Sequence, residues 1–321
     1  RANLAQVLIR IDKIDEAVKE FEKVLQTGNV SSNTYNLIGY AYMLIDKPVS
    51  AENAYRQAML LNRNDKSAMA GLARTLLAQK RYNECIYAVK ELLKEEPRNK
   101  DLWYILTNCY SETGQIKEAI KSLETANIIS DENYSSFITL GDLYLMNEQS
   151  DYAAANYHKA FKQQGANPKD IVRAASNLFD YGNVDEAYRI IENNRKKIST
   201  NTQEEKKLKL IEAGIFINQQ KLSQAEKILI NLAENYPLDS SILIMNGDLY
   251  LQQKQYEKAI LYYERAERTA DDKSQALIRQ AKVEVERENY NRAAELLENA
   301  QKLNPQPYIE KYLNQVKRFA D

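Results

Sequence analysis

Glycine and proline are scarce: nine Gly and six Pro in 321 residues. Loop-rich β architectures use both at their turns, so the scarcity excludes a sandwich or barrel and leaves long helices joined by short turns. The only cysteines, Cys85 and Cys109, lack CxxC spacing, which excludes a disulfide framework and a zinc or redox pair and makes both small core residues. The one histidine, His158, cannot form a nucleophile–base pair or a metal site by itself, and it follows the packing Tyr157, so it is expected on the surface. Charge of neither sign is in excess, with 44 basic against 45 acidic residues. That balance gives no overall pull toward nucleic acid or anionic membrane. The longest apolar runs, such as 242–245 and 215–217, fall far short of a bilayer span. The expectation is a soluble chain, in cytoplasm or periplasm alike.

Chemistry is equally thin. There is no phosphate-cradling glycine loop, no GxSxG and no Cys/His ligand spacing. Carboxylate pairs such as Glu95 and Glu96, Glu204 and Glu205, or Asp271 and Asp272 fall at predicted turns or helix ends, without the apolar pocket that would split their pKa values for acid–base work. No enzyme, metal or cofactor is expected.

What is abundant is Ala, Leu, Glu, Lys and Gln, the strong helix formers. The stretch 240–273 shows how they are used. Leu243, Gly247 and Tyr250 lie at spacings of four and three, one face of a helix; Ala259, Tyr263 and Ala266 repeat the pattern after a short break. Small residues at 247, 259 and 266 let two backbones approach closely, so the unit is a helical hairpin that needs neighbours to bury its faces. The small residue recurs as Ala5, Gly39, Ala73, Thr107, Gly141 and Ala175, each 34 positions after the last, slips by four to Ala213, then resumes at Gly247 and Ala281. A second ruler keeps the same phase through Ala17, Ala51, Cys85, Ala119, Ala153, Ala187, Ala225, Ala259 and Ala293. Nine units result.

The pattern of aromatic, Leu-Gly, Tyr, Ala, aromatic and Ala appears as Tyr35, Ile38, Gly39, Tyr42, Ala51, Tyr55 and Ala58, and again as Phe137, Leu140, Gly141, Tyr144, Ala153, Tyr157 and Ala160. Trp103, Leu106, Tyr110, Ala119, Leu123 and Ala126 carry it in the fourth unit, and Pro97 closes the third. On these residues the chain resembles a tetratricopeptide repeat protein, over essentially its whole length; its Glu, Lys, Asn, Ile and Tyr richness is of a bacterial type. The resemblance implies an all-α fold, a right-handed α-solenoid superhelix of about nine hairpins with a C-terminal capping helix. The many tyrosines, Tyr42, Tyr110, Tyr144 and Tyr250 among them, then sit at packing positions with hydroxyls at the wet edge.

Departures from the period set the expected organisation. Repeats one to six occupy 1–201, the first lacking the start of its first helix, which suggests a preceding repeat or cap. Four extra residues in 196–207 and a polar Asn194 at a packing position make the next joint the weakest, with a longer loop or extended helix and a local change of pitch. Repeats seven to nine occupy 202–304. Pro305 and Pro307 stop the ninth hairpin, and 305–321 forms the capping helix, with Ile309, Leu313, Val316 and Ala320 on one stripe.

The resemblance implies a non-catalytic scaffold that binds a protein or peptide segment in the concave groove lined by the first helices. Groove positions lie three before, one after and four after the first ruler. They give Asn36, Tyr40 and Met43, then Ala70, Arg74 and Leu77, then Tyr104, Asn108 and Ser111. From the fifth repeat the outer positions turn apolar: Ile138 and Leu145 around Asp142, Val172 and Phe179 around Ser176, Leu210 and Ile217 around Gly214. Ile244 and Leu251 flank Asp248, and Ile278 and Val285 flank Lys282. This stripe is either an apolar trough for a hydrophobic peptide or a seam covered by neighbouring first helices. Arg195, Lys196, Lys197, Lys206 and Lys207, extended by Arg189 and Lys209, form a second candidate, a basic docking patch for an acidic partner or lipid headgroup. Relatives that clamp chaperone C-terminal carboxylates use Lys followed four residues later by Asn on this stripe, and no repeat here has that pair. Two alternatives stay open: a structural or adaptor domain of a larger secretion or envelope-assembly protein, and a regulatory domain attached to other modules. A helical-repeat RNA binder would need a basic groove, which the apolar positions contradict.

Overall fold

In the computed structural model, residues 1–28, 30–130, 133–163, 165–269 and 273–320 are described, Ala320 by its backbone alone. The described residues contain nineteen α-helices and no strand. Eighteen form successive pairs. These are α1 (Ala2–Arg10) with α2 (Ile14–Leu25), α3 (Ser32–Leu44) with α4 (Pro48–Leu61), and α5 (Lys66–Ala78) with α6 (Tyr82–Glu95). Next come α7 (Lys100–Glu112) with α8 (Ile116–Ile129), α9 (Tyr134–Met146) with α10 (Ser150–Lys162), and α11 (Pro168–Asp180) with α12 (Val184–Asn194). Last are α13 (Gln203–Asn218) with α14 (Leu222–Asn235), α15 (Ser240–Gln252) with α16 (Tyr256–Glu267), and α17 (Lys273–Glu286) with α18 (Tyr290–Leu303), before a final α19 (Pro307–Ala320). The chain divides into two compact units, Arg1–Gln163 and Gln164–Asp321.

Each hairpin turn is built the same way. One residue adopts a left-handed conformation: Asp12, Asp46, Lys80, Gly114, Glu148, Gly182, Gln220, Lys254 and Glu288, with φ from 54° to 81°. The next residue's N–H then reaches back to a carbonyl five residues earlier, as in Lys13 to Leu8, Gln115 to Tyr110 and Asn289 to Glu284, at 2.8–2.9 Å. That bond satisfies one of the orphan carbonyls of the first helix, the Schellman arrangement. The same residue stands at the N-terminal boundary of the second helix, so a single backbone position closes one element and opens the other.

Both rulers are buried. Ala5, Ala73, Ala175, Ala213 and Ala281 are fully covered, as are Ala17, Ala51, Cys85, Ala119, Ala153, Ala187, Ala225, Ala259 and Ala293. Their small side chains let helices approach to the point where large residues interlock. Tyr55 lies against both Gly39 and Gly71, Tyr157 against Gly141, and Tyr263 against Gly247. Cys85 and Cys109 are buried free thiols, Cys85 Sγ lying 3.3 Å from the Ala73 carbonyl oxygen. Asn194 is also buried and donates to the Ile190 carbonyl one turn earlier at 2.9 Å, which satisfies its amide within its own helix.

The four-residue slip falls between α12 and α13. A short 3-10 turn, Arg195–Lys197, follows α12, and α13 has 16 residues against 13 in α11. At this joint α13 packs more closely on α11 than on α12, whereas α5 and α17 pack more closely on the second helix just before them than on the preceding first helix. On α19, Ile309, Leu313 and Val316 are buried in one cluster with Leu297 and Ala300 of α18, while Glu310, Lys311, Asn314, Gln315 and Arg318 face outward. Ala320, the fourth member of the expected stripe, and the Asp271–Asp272 pair lie outside the described side chains.

Candidate functional site

The first helices carry the groove positions, and their burial follows a rule. Every outer position is covered in part or in full: Asn36, Ala70, Tyr104, Leu210, Ile244, Met43, Leu77, Ser111, Phe179, Ile217, Leu251 and Val285 are half-buried, and Ile138, Leu145, Val172 and Ile278 are buried. The middle position is exposed at Tyr40, Arg74, Asn108 and Lys282 and half-buried at Asp142, Ser176 and Asp248, while Gly214 is covered. The apolar members therefore pack within the array, and the side chains left at the surface are polar or aromatic.

Neighbouring contacts explain the cover. Thr75 donates to Met43 Sδ at 3.3 Å from the next first helix. Asn36 donates at 2.9 Å to Asp65, which also accepts from the Ala68 N–H at the start of α5. Phe179 lies against Gly214, where an added Cβ would come within 3.2 Å of its ring. Leu251 and Ile244 pack with Tyr263 and Tyr250.

Asp142 and Asp248 hold tyrosines. Asp142 accepts from the Tyr157 hydroxyl and Asp248 from the Tyr263 hydroxyl, both at 2.6 Å, and Arg279 lies 3.5 Å from Asp248. Burial pushes the Asp248 carboxyl above its ordinary range, opposed by the Tyr263 hydrogen bond and the Arg279 charge. The sequence signal was present in both cases: a Gly-Asp dipeptide with Tyr fifteen residues after the Asp. His158, expected on the surface, is half-buried next to the buried Tyr157.

The basic segment is largely neutralised. Arg195 binds Glu192 at 2.8 Å and Glu212 at 2.5 Å, Lys206 binds Asp239 at 2.6 Å while lying over the Tyr236 ring, and Lys209 binds Glu205 at 2.9 Å. Arg189 pairs with Glu186. Lys196, Lys197 and Lys207 are exposed. Elsewhere Glu52, buried on α4, accepts from Arg56, Gln79 and Arg81, tying one hairpin to the next. Burial acts to raise its pKa, but those three hydrogen bonds outweigh it and hold the carboxyl below its ordinary value.

Two clefts open between helices. One, of about 490 Å³, lies among α4, α5 and α6, with Met59, Met69, Leu72, Leu76 and Tyr87 in its wall. The other, of about 690 Å³, lies between α11 and α13 and is lined by Lys169, Val172, Arg173, Ser176, Asn177, Glu204, Lys207, Leu210 and Ile211. It unites Val172, Leu210 and Lys207 from the candidate positions with Lys169, Arg173 and Ile211, which the groove spacing did not select. No helix of the described residues is long and apolar enough to cross a membrane, and no group of three His, Cys, Asp or Glu residues among them could hold a metal ion.

These features define a tandem array of helical hairpins presenting the surface of its first helices. Residues 76–137 and 213–274 each match a family model described as tetratricopeptide repeat. Tetratricopeptide repeat protein 8 of Caenorhabditis elegans is 21% identical over 157 residues, covering 49% of this chain and 31% of that protein. The match thus spans 31% of the relative's length. The C-terminal part of a TPR repeat-containing protein from Cytophaga hutchinsonii is similar in structure with a TM-score of 0.55 at 17% identity, over 75% of this chain and 98% of that one. A MamA fragment from Desulfovibrio magneticus RS-1 gives a TM-score of 0.47 at 18% identity, over 50% of this chain and 90% of its own. Two stretches of the chain, one in each compact unit, are thus similar to tetratricopeptide repeats.

Proposed function

We propose that this chain is a non-catalytic scaffold that holds a protein or peptide segment against its first helices. The observation that carries the reading is the row Tyr40, Arg74 and Asn108, exposed at the same register of α3, α5 and α7 between covered outer positions. Tyr and Arg raised above a packed, rigid surface are the residue types that dominate binding energy at protein interfaces. The acidic residues that could suggest chemistry, Asp142, Asp248 and Glu52, are engaged in holding helices together. We also propose an organisational boundary between repeats six and seven near 201–202, where the 34-residue period slips by four.

Replacing Tyr40 and Arg74 together by alanine tests the reading. Both are exposed, so melting should not change, and the set of proteins retained from a native lysate should be lost. An unchanged set with the double variant would reject this face as the docking surface.

A further inference from the structure

We propose that the cleft between α11 and α13 binds an acidic peptide segment, an aliphatic side chain resting on Val172, Leu210 and Ile211 while flanking carboxylates meet Lys169 and Lys207. The proposal rests on reading the first-helix face as a protein-binding surface, and gives one part of it a ligand chemistry.

Register is the first argument. Lys169 and Lys207 stand six residues before the ruler residues Ala175 and Ala213, and Val172 and Leu210 stand three before them. Matching positions of two successive first helices therefore face one opening. In the other first helices the six-before position holds Asn33, Ser67, Asp101, Ser135, Ser241 and Gln275, all neutral or acidic. Lysine occupies this position only on the two walls of the cleft.

Charge is the second. Arg173, the third cation of the lining, pairs with Asp170 at 3.4 Å, and of the neighbouring cations Lys206 pairs with Asp239 at 2.6 Å, Lys209 with Glu205 at 2.9 Å, and Arg195 with Glu192 and Glu212. Among the described residues, Lys169 and Lys207 form no ion pair. The mouth thus keeps two ammonium groups outside any ion pair over an aliphatic floor, complementary to carboxylates on either side of an apolar side chain.

The joint itself shapes the opening. Counted from the rulers, α11 starts at Pro168, seven residues before Ala175, and α13 starts at Gln203, ten before Ala213. The overhanging turn brings Glu204 to the wall. A negative charge there disfavours a continuous polyanion and sets a direction for a peptide whose carboxylates are spaced. A phosphate-rich surface would use the lysines but gain nothing from Val172, Leu210 and Ile211.

Fluorescence anisotropy with the full chain tests this, using labelled synthetic peptides with one Leu, Ile, Val or Phe between glutamates. Saturable binding is expected, weakened about tenfold by Lys169→Glu with Lys207→Glu and by added salt. Binding is also expected to weaken when the central apolar residue becomes serine. Circular dichroism should show the exposed double variant folded. Equal affinity of wild type and double variant overturns the proposal, as does the lack of saturable binding by any of the peptides. Lysine-dependent binding to phosphatidylserine vesicles without peptide binding overturns it too, and assigns the lysines to a lipid surface. None of these failures touches the Tyr40 and Arg74 experiment, which decides the broader reading separately.

Discussion

At Gly247 an added Cβ would come to 2.3 Å from the Tyr263 ring, and at Gly141 to 2.4 Å from Tyr157. At Gly39 the same construction gives 2.8 Å to Tyr55. In all three hairpins the tyrosine stands sixteen residues after the glycine. Where the ruler is instead Ala213 or Ala281, the corresponding place holds Leu229 or Leu297, both fully buried. In these five hairpins volume is shared between the two positions: no side chain opposite a tyrosine ring, one methyl opposite a leucine chain. Gly247→Ala should lower stability in urea by about 1–3 kcal/mol through overpacking. Adding Tyr263→Leu, which installs the pairing of the ninth hairpin, should recover part of that loss; a double variant no better than Gly247→Ala alone would refute steric coupling. Gly214→Ala should cost less, since its nearest neighbour is the half-buried Phe179 ring at 3.2 Å, which can yield.

At the scale of the hairpin, seven of the nine left-handed turn residues are not glycine: Asp12, Asp46, Lys80, Glu148, Gln220, Lys254 and Glu288. A side chain in that conformation costs about 1–2 kcal/mol, part of which glycine returns as greater freedom of the unfolded chain. Lys80→Gly or Lys254→Gly should therefore raise stability in urea by about 0.5–1 kcal/mol each, and Gly182→Ala should lower it; the opposite signs would show that these torsions relax. The hairpins themselves were legible, because the helix period and the spacing of small residues are written directly in the chain. The turn conformations were not, because Lys and Glu at those positions give no local sign of a left-handed backbone. Nor was the cover over Leu145, Ile244 and Leu251. A helix sequence tells which residues share a face, whereas exposure depends on how near the next first helix comes. Lys169 and Lys207 were readable in principle, by comparing one register position across all repeats.

For the chain as a whole, stability in a repeat array is close to a sum of hairpin terms and nearest-neighbour interfaces, so its parts need not unfold together. Trp103, the single tryptophan, belongs to the first compact unit, Arg1–Gln163. In a denaturant titration its fluorescence should follow that unit, while far-ultraviolet circular dichroism follows every helix. The dichroism transition should be broader than the fluorescence transition; coincident curves would mean that both units open in a single step. Cys85 and Cys109 sit in the same unit, on α6 and α7, with no accessible surface. They act as sealed chemical timers: a thiol reagent can reach them only while those helices part, so the pace of labelling in native buffer counts how often the third and fourth hairpins breathe.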